Sequence, residues 1–205
     1  MTEQISIDKI QSIDMAIDAD VYLLMGEDQK VEIEAQQNII EVIETDIKDG
    51  MWEIEYGRNV YRHEPVKIYI TLPYIDKIIL SGSGDIYSED TFESDEIELM
   101  ISGSGDIDFS VNTLVSNSLI SGLGHIYIEG QTNFQHVEIS GSGDYNSYDF
   151  LSSEADVSIP GSGNCRLNVS DRLDVSISGS GNVYYKGSPI IHSNISGSGG
   201  IYEGN

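Results

Sequence analysis

Basic residues are scarce in this sequence of 205 residues, which has 10 lysines and arginines against 35 aspartates and glutamates. The formal net charge is −25 at pH 7. Proteins that bind nucleic acid or anionic lipid need clustered positive charge to neutralise phosphates. The charge balance therefore argues against a nucleic acid or an anionic membrane surface as the partner.

Cysteine and long apolar runs are almost absent as well. A single cysteine, Cys165, excludes an internal disulfide framework but does not fix the compartment. No apolar run reaches the length of about eighteen residues that a membrane span needs, so no transmembrane segment is predicted. The opening MTEQISIDKIQ shows no secretion signal, which means that the protein stays inside the cell or that a leader was removed.

Glycine, in contrast, is abundant and occurs in a five-residue motif, here called the phrase, that is repeated seven times. The copies read SGSGD, SGSGD, SGLGH, SGSGD, PGSGN, SGSGN and SGSGG, and they begin at Ser81, Ser102, Ser121, Ser140, Pro160, Ser178 and Ser196. The steps between these positions are 21, 19, 19, 20, 18 and 18 residues. Such a narrow period is typical of a repeat architecture and not of a linker.

Alternating apolar residues flank every copy of the phrase. The residue before the phrase is always aliphatic, namely Leu80, Ile101, Ile120, Ile139, Ile159, Ile177 or Ile195. The residue after it is Ile86, Ile107, Ile126, Tyr145, Cys165, Val183 or Ile201. Period two with β-branched residues predicts strands. The pattern therefore predicts an all-β fold, a single-stranded parallel β-helix with coils of 18–21 residues whose aliphatic ladders face inward.

We expect the Gly-Ser-Gly phrase to shape the bends of this β-helix. It lacks the Gly-Lys-Ser/Thr ending of a phosphate-binding loop, and no helix follows it. Glycine adopts positive φ without strain and allows stacked bends to approach closely. The Asp or Asn that closes most copies is a common turn residue.

Residues 1–75 lack the phrase but contain alternating apolar runs. MAIDADVYL at 15–23 aligns with LSGSGDIYS at 80–88, so that Met15 falls on Leu80 and Tyr22 on Tyr87. The stretch QQNIIEVIETD at 36–46 suits either a short helical turn or a strand. We interpret 1–75 as irregular β-rich coils or a cap and 76–205 as the regular β-helix, with a separate small β domain as the alternative for 1–75.

Acidic side chains are the only candidate metal ligands. Asp85 and Asp106 follow the phrase on adjacent coils, and Asp90, Glu93 and Asp95 belong to a denser acidic connection. Carboxylate oxygens suit hard cations, so calcium is the one cofactor to consider. The alternative is that these residues are solvated turn and loop positions.

Signatures of catalysis are missing. His63, His125, His136 and His192 lack metal-ligand spacing, and no nucleophile elbow is present. Cys165 lies in the inward column, whereas reactive cysteines are usually partly exposed. Some polysaccharide-cleaving enzymes are β-helices, and this analogy of fold keeps an enzyme only as a minor alternative. We expect a protein that is not an enzyme and has no catalytic residues.

Tyrosines are the candidate binding residues. Tyr87, Tyr127, Tyr184 and Tyr202 each follow the inward residue after a bend, so alternation points them outward. An outward tyrosine stripe suits contact with a glycan or a protein, because tyrosine combines apolar area with a polar tip. Ladder packing on the sheet surface is the alternative.

Three longer segments resemble a known family. VYLLMGEDQKVEIEA, VKIYITLPYIDKIILSGSGDI and VYYKGSPIIHSNISGSGGIY are similar to the head GIN domain of putative autotransporter adhesins, which are bacterial proteins frequent in Bacteroidetes. The resemblance runs from about residue 8 to 203. It implies a right-handed β-helix, export to the cell envelope or surface, and a role in cell adhesion. The family has no motif of functional residues, so none is transferred.

The sequence as a whole therefore predicts a secreted or envelope-bound, adhesin-like binding protein whose partner is a glycan or another protein. The first alternative is a structural component of the envelope that self-associates through the ends of the β-helix. The second is a polysaccharide-active enzyme.

Overall fold

The computed structural model describes residues 1–204 and is almost entirely β-structure. The strands are β1 (Thr2–Ile5), β2 (Ser12–Met15), β3 (Asp20–Met25), β4 (Lys30–Glu34), β5 (Ile47–Lys48), β6 (Met51–Ile54), β7 (Lys67–Leu72), β8 (Lys77–Leu80), β9 (Ile86–Ser88), β10 (Phe92–Ile101), β11 (Ile107–Ile120), β12 (Ile126–Ile139), β13 (Tyr145–Ile159), β14 (Cys165–Ile177), β15 (Val183–Lys186), β16 (Ile190–Ile195) and β17 (Ile201–Glu203). The helix is α1 (Gln37–Ile40). Within residues 1–204, no helix has the length and apolar character needed to cross a membrane.

Parallel coils are stacked one on another from β8 to the end of the described chain. β10 pairs in parallel with β8 and β11, and β11 also pairs with β9. The long strands β11 to β14 then pair in sequence, and β15 and β16 both pair with β14. The last coil consists of β16 and of β17, which pairs with β15. The architecture is the β-helix that the repeat predicts.

The predicted aliphatic ladders fill the interior. Before the bend, register places Leu80 beside Ile101, and Ile101 beside Ile120. After the bend, Tyr145 pairs with Cys165. Every member of both ladders is buried except those of the last coil. Burial raises the pKa of the Cys165 thiol well above its ordinary value, so this cysteine is an inert core residue.

The bend glycines are required because successive bends touch each other. A Cβ on Gly124 would overlap the carbonyl oxygen of Gly105, and one on Gly143 would overlap that of Gly124. The expectation that these glycines adopt positive φ is wrong. Within residues 1–204, positive φ occurs only at four positions outside the phrases: Asp49, Gly50, Gly130 and Gly187.

Residues 1–75, which we call the head, extend the stack in an order that differs from the chain order. β2 lies between β6 and β8, and β3 lies between β7 and β9, all in parallel. Met15 pairs with Leu80 and Tyr22 with Tyr87, which confirms the alignment of the early coil. β6 and β7 thus form the outermost parallel coil, although they follow β2 and β3 in the chain.

Antiparallel strands and α1 cover the outer side of that coil. β4 pairs antiparallel with β7, β1 with β4, and β5 with β6. Ile39, Ile40 and Ile43 come from α1 and the turn after it, and all three are buried. Of the two alternatives for residues 36–46, a short helical turn or a strand, the structure has the helical turn at Gln37–Ile40. Because these elements break the parallel pattern, they close the core at this end.

One polar cluster lies inside the core of the middle coils. Gln135 accepts hydrogen bonds from Tyr145 Oη (3.1 Å) and Ser147 Oγ (3.3 Å), and its amide donates to Ser152 Oγ (2.7 Å). Burial raises the pKa of Tyr145, so its phenol stays protonated and donates. The hydroxyls of Ser116 and Ser118 are buried without a partner within residues 1–204.

Candidate functional site

The predicted tyrosine stripe points outward but is interrupted. Its members are half-buried or exposed: Tyr87, Tyr127, Tyr184 and Tyr202. In the register of the strands, Asp108 separates the first from the second. Asn146 and Arg166 separate the second from the third. The column therefore presents no continuous aromatic surface.

The tyrosines form two separate stacks instead. Tyr22 lies between Tyr69 and Tyr87, with ring centroids 5.1 and 5.4 Å apart. At the other end of the rod, the rings of Tyr184 and Tyr202 are 5.6 Å apart. Tyr69 is a stack member that the sequence pattern missed, because β6 and β7 join the stack out of chain order.

Two of these tyrosines contact polar side chains of the protein, one through its hydroxyl and one through its ring face. The hydroxyl of Tyr87 donates to Asp85 Oδ2 (3.0 Å), and burial together with this bond raises the pKa of Tyr87 to about 12. The guanidinium of Arg166 lies 5.5 Å from the ring centre of Tyr184. These contacts are those of ladder packing on a sheet surface. A binding role for the tyrosines stays a prediction.

The residues that close the bends form a ladder of hydrogen bonds along the rod. The backbone N–H of Asp106 donates to Asp85 Oδ1 (2.8 Å), and that of His125 donates to Asp106 Oδ1 (2.7 Å). The backbone N–H of Asp144 donates to His125 Nδ1 (2.9 Å). Three more backbone N–H groups donate to the side chain one coil earlier, at 2.7 to 3.2 Å: Asn164, Asn182 and Gly200.

This ladder fixes protonation states as well as positions. His125 accepts at Nδ1, so its neutral ring carries the proton on Nε2. Burial by itself would raise the pKa of Asp144, but hydrogen bonds from Asn164 and Arg166 outweigh it and hold that pKa below its ordinary value. The side chains in this column therefore join neighbouring coils.

The five candidate metal ligands do not converge. Asp85 and Asp106 are rungs of the ladder. Asp90 accepts a backbone N–H of the head at 2.9 Å, and Glu93 accepts a side-chain amide of the next coil at 2.8 Å. Asp95 lines the same groove as Glu93. Across residues 1–204, no group of three or more histidine, cysteine or acidic side chains is arranged to hold a metal ion. The geometry gives the calcium hypothesis no support.

A groove of about 700 Å³ lies near the predicted residues. It runs across the coils at the corner between the two halves of each long strand. Residues 93–95, 112–114 and 131–133 line it from three consecutive coils. Leu151 and Ser153 come from a fourth coil, Ser170 from a fifth, and Tyr74 from the connection before β8. We call this feature the corner groove.

Threonines turn the chain at the corner. The hydroxyl of Thr113 donates to the carbonyl of Val115 at 3.1 Å. The hydroxyl of Thr132 donates to the carbonyls of Phe134 (3.0 Å) and Leu114 (3.1 Å). Both threonine side chains are thus used by the backbone, as is common at turns. The residues beside them are presented to solvent, and Leu114 is 52% exposed.

The surface of the corner groove is polar with small apolar patches. Glu93, Asn112, Gln131 and Leu151 stand in one column, with neighbours about 4.8 Å apart. The amides of Gln131 and Asn133 are exposed and form no side-chain hydrogen bond within residues 1–204. They are free to donate to and accept from a ligand.

Sequence reasoning missed the corner groove because its lining residues lie away from the Gly-Ser-Gly phrases and the aliphatic ladders beside them. The available signal was a pair of Thr residues in β11 and β12, Thr113 and Thr132, which are 19 residues apart, as Ser102 and Ser121 are. Aligning the coils on their bends would have placed these threonines at the same corner. Glu93 and Asp95, chosen as metal candidates, do lie in this groove.

Comparison with known proteins assigns the chain to a family. The family model described as "Putative auto-transporter adhesin, head GIN domain" matches residues 10–189. The chain belongs to this family. The resemblance seen in the sequence is thus confirmed. No match was found among curated proteins.

Several solved structures from Bacteroides and Parabacteroides species are similar to this chain. A putative adhesin from Bacteroides fragilis superposes with a TM-score of 0.94 at 23% identity, over 99% of this chain and 96% of that one. A putative lipid binding protein from Parabacteroides distasonis gives 0.83 at 21% identity, over 100% and 96%. A putative adhesin from Parabacteroides merdae gives 0.75 at 19% identity, over 100% and 96%. At these identities the likeness shows the fold alone.

Proposed function

We propose that this head GIN domain is an adhesin-like binding module, not an enzyme, and that its corner groove holds an extended neutral glycan. The observation that carries the proposal is the groove itself, a cleft of about 700 Å³ that spans five coils. Binding sites for small polar ligands combine apolar patches with a few well-placed polar groups. The corner groove offers both, in a periodic array that suits a chain of repeating units.

The groove side chains match the chemistry of sugars. The free amides of Gln131 and Asn133 can hydrogen-bond to sugar hydroxyls as donors and acceptors. Leu114 and Leu151 are 52% and 50% exposed, and they offer apolar contact to the carbon-bound hydrogens of a sugar ring. Tyr74, 37% exposed, adds an aromatic edge.

Charge selects among glycans. The chain carries −25 overall, and the groove contains Glu93 and Asp95 but no lysine or arginine. A sulfated or uronate-bearing glycan would meet a repulsive potential there. Neutral oligosaccharides of hexose and N-acetylhexosamine are therefore the expected class.

A lipid is less well supported than a glycan. One solved relative is described as a putative lipid binding protein. In this chain the interior of the coils is occupied by buried side chains, and the groove is open and lined mostly by polar residues. An acyl chain would remain largely in contact with water in such a groove, which would cost the hydrophobic gain of binding.

The proposal is tested by binding to a panel of neutral β-linked hexose and N-acetylhexosamine oligosaccharides, with sulfated oligosaccharides as comparators. Replacing both free amides, Gln131→Ala with Asn133→Ala, should weaken binding about tenfold, because each lost hydrogen bond costs about 0.5–1.5 kcal/mol. Asn38→Ala removes an exposed amide from the head and should leave affinity unchanged. Calorimetric titration of the best panel member measures all three.

Two outcomes of that titration would contradict the groove as the binding site. The first is that the Gln131→Ala, Asn133→Ala protein keeps full affinity while Tyr127→Ala or Tyr184→Ala abolishes binding. This result would assign the binding site to the face that carries the tyrosines. The second is preference for the sulfated oligosaccharides. Release of new reducing ends from the glycan during incubation would identify an enzyme.

We further propose that the protein is exported and acts at the cell envelope or surface, as its family description supports. Protease treatment of intact cells should release peptides of the chain if it is displayed outside. Protection until the outer membrane is broken would instead place it inside the envelope.

A further inference from the structure

The two ends of the β-helix differ in how they are finished. The head end is closed by the antiparallel strands and the buried isoleucines of α1. The other end is formed by residues 187–204, which we call the last coil. β16 is mostly exposed along its length, and Ile195 is 42% exposed. Within the part of the chain that the structure describes, the inward ladders therefore end at this coil.

The exposed residues of the last coil are the ends of those ladders. Ile195 continues the column of Ile177, and Ile201 continues the column of Val183. Their predecessors are fully buried because another coil covers them. Ile191, in the column of Leu173, is only half-buried. The last coil thus presents core-type side chains that no element within residues 1–204 covers.

The backbone of the last coil has an open edge as well. β16 pairs only with β14, and β17 pairs only with β15, within residues 1–204. In a parallel stack each inner strand bonds to neighbours on both sides. Half of the strand N–H and C=O groups of the last coil therefore point away from the rod, and such an edge is a template for pairing with another chain.

The low charge of the last coil indicates which kind of chain can cover its open edge. Residues 187–204 contain one acid, Glu203, and no lysine or arginine, in a chain whose net charge is −25. Two copies of this surface can meet with little repulsion, whereas the acidic sides of the rod repel each other. The last coil has 18 residues (187 to 204), close to the about 20–30 residues per partner of a standard interface.

We propose that the last coil binds the last coil of a second copy, tail to tail, and forms a two-fold symmetric dimer. A two-fold axis across the rod reverses the direction of the partner's coil, so β16 and β17 meet antiparallel strands and the ladder ends pack together. The closed head stops growth at two copies. The dimer places one corner groove on each half of the rod, but it forms whether or not the groove binds a glycan.

Sedimentation velocity of the 205-residue chain over a wide range of concentration tests this proposal. A monomer–dimer equilibrium is expected. Ile195→Asp puts two carboxylates at the two-fold interface and should weaken the dimer at least about tenfold. Leu123→Asp is the matched control, because Leu123 is 66% exposed on a bend at the side of the rod. It should leave the equilibrium unchanged.

Spin labels keep the test decisive if Ile195→Asp does not fold. Cys165 is buried, so a cysteine introduced by Glu203→Cys can be labelled selectively. Labels at position 203 should show a short distance between copies, and labels introduced by Glu41→Cys on the head should not. A monomer at every concentration, larger open-ended species, or a short distance between heads would overturn the proposal.

Discussion

The regular coils after residue 75 and the head are built from the same strands but are held in register by different means. In the regular coils, each bend touches the bend before it, and glycine is needed at every contact. In the head, the bend at residues 16–19 contains Ile17 and Ala19 where the repeat has glycine. The comparison shows that the glycine phrase follows from stacking of bends and not from the turn itself.

The head tolerates alanine because its bend has a close neighbour on one side only. The regular bend stacks on it, since a Cβ on Gly84 would overlap the backbone of Ala19. On its other side lies the long connection of residues 55–66 between β6 and β7, where the regular coils have a bend of five residues such as 81–85. A cavity of about 180 Å³, lined by residues 18–20 of the bend and by His63, Pro65 and Val66 of the connection, leaves space beside Ala19.

The largest expected effect tests this difference at two glycines. Gly143→Ala would force a Cβ onto the carbonyl of Gly124, which can move only by separating two coils, and should lower the free energy of unfolding by about 3 kcal/mol. Gly57→Ala in the head meets only the flexible carboxylate of Glu44 and should cost less than about 0.5 kcal/mol. Urea unfolding of both variants measures the difference, and equal losses would contradict the stacking explanation.

The next largest difference in stability is expected from the ladder of hydrogen bonds between the residues that close the bends. Asp106→Ala leaves the backbone N–H of His125 without its acceptor and should cost about 1–2 kcal/mol. Asp106→Asn keeps an acceptor oxygen and should restore most of that loss. Asp20→Ala, at the equivalent head position, removes no such bond within residues 1–204 and should change stability little. If Asp106→Asn were as unstable as Asp106→Ala, charge rather than the ladder would explain the effect.

A smaller effect is expected from the core of the regular coils. The hydroxyl of Ser118 is buried without a partner, between Leu99 and Val137 of the adjacent coils. Ser118→Ala should therefore stabilise the protein by about 0.5–1 kcal/mol. Ser152→Ala should destabilise it, because Ser152 accepts from the Gln135 amide. Thermal unfolding compares the two, and destabilisation by Ser118→Ala would show that its hydroxyl has a partner after all.

A further predicted effect lies at the junction of the head and the regular coils and depends on pH. The pKa of Tyr87 is raised from 10.0 to about 12 by burial and by Asp85. The unfolded chain loses this proton near pH 10 while the folded chain keeps it, so stability falls as pH rises from about 10 to 12. Tyr87→Phe should reduce that fall. Urea unfolding at several alkaline pH values checks it, and an identical fall in the variant would assign the effect to other tyrosines.

Sequence reasoning captured the regular coils well because their contacts repeat. Ile101, Ile120 and Cys165 are where period and alternation placed them. The head was harder, since β6 and β7 join the stack outside chain order and no local pattern encodes that exchange. The corner groove was missed because its shape depends on how connections from five coils align. The tyrosine column is interrupted by Asp108, Asn146 and Arg166, which follow Ile107, Tyr145 and Cys165 in the sequence, so the repeat alone could have predicted the interruption.

Hydrogen exchange of the protein saturated with each neutral oligosaccharide of the panel would test the central claim most directly. The claim is that the stacked coils are the scaffold and that the corner groove is the binding site. It predicts slower exchange confined to residues 93–95, 112–114, 131–133 and 151–153, with the bends and the head unchanged. Slower exchange around Tyr184 and Tyr202 or in the head, or no change with any neutral oligosaccharide, would contradict it.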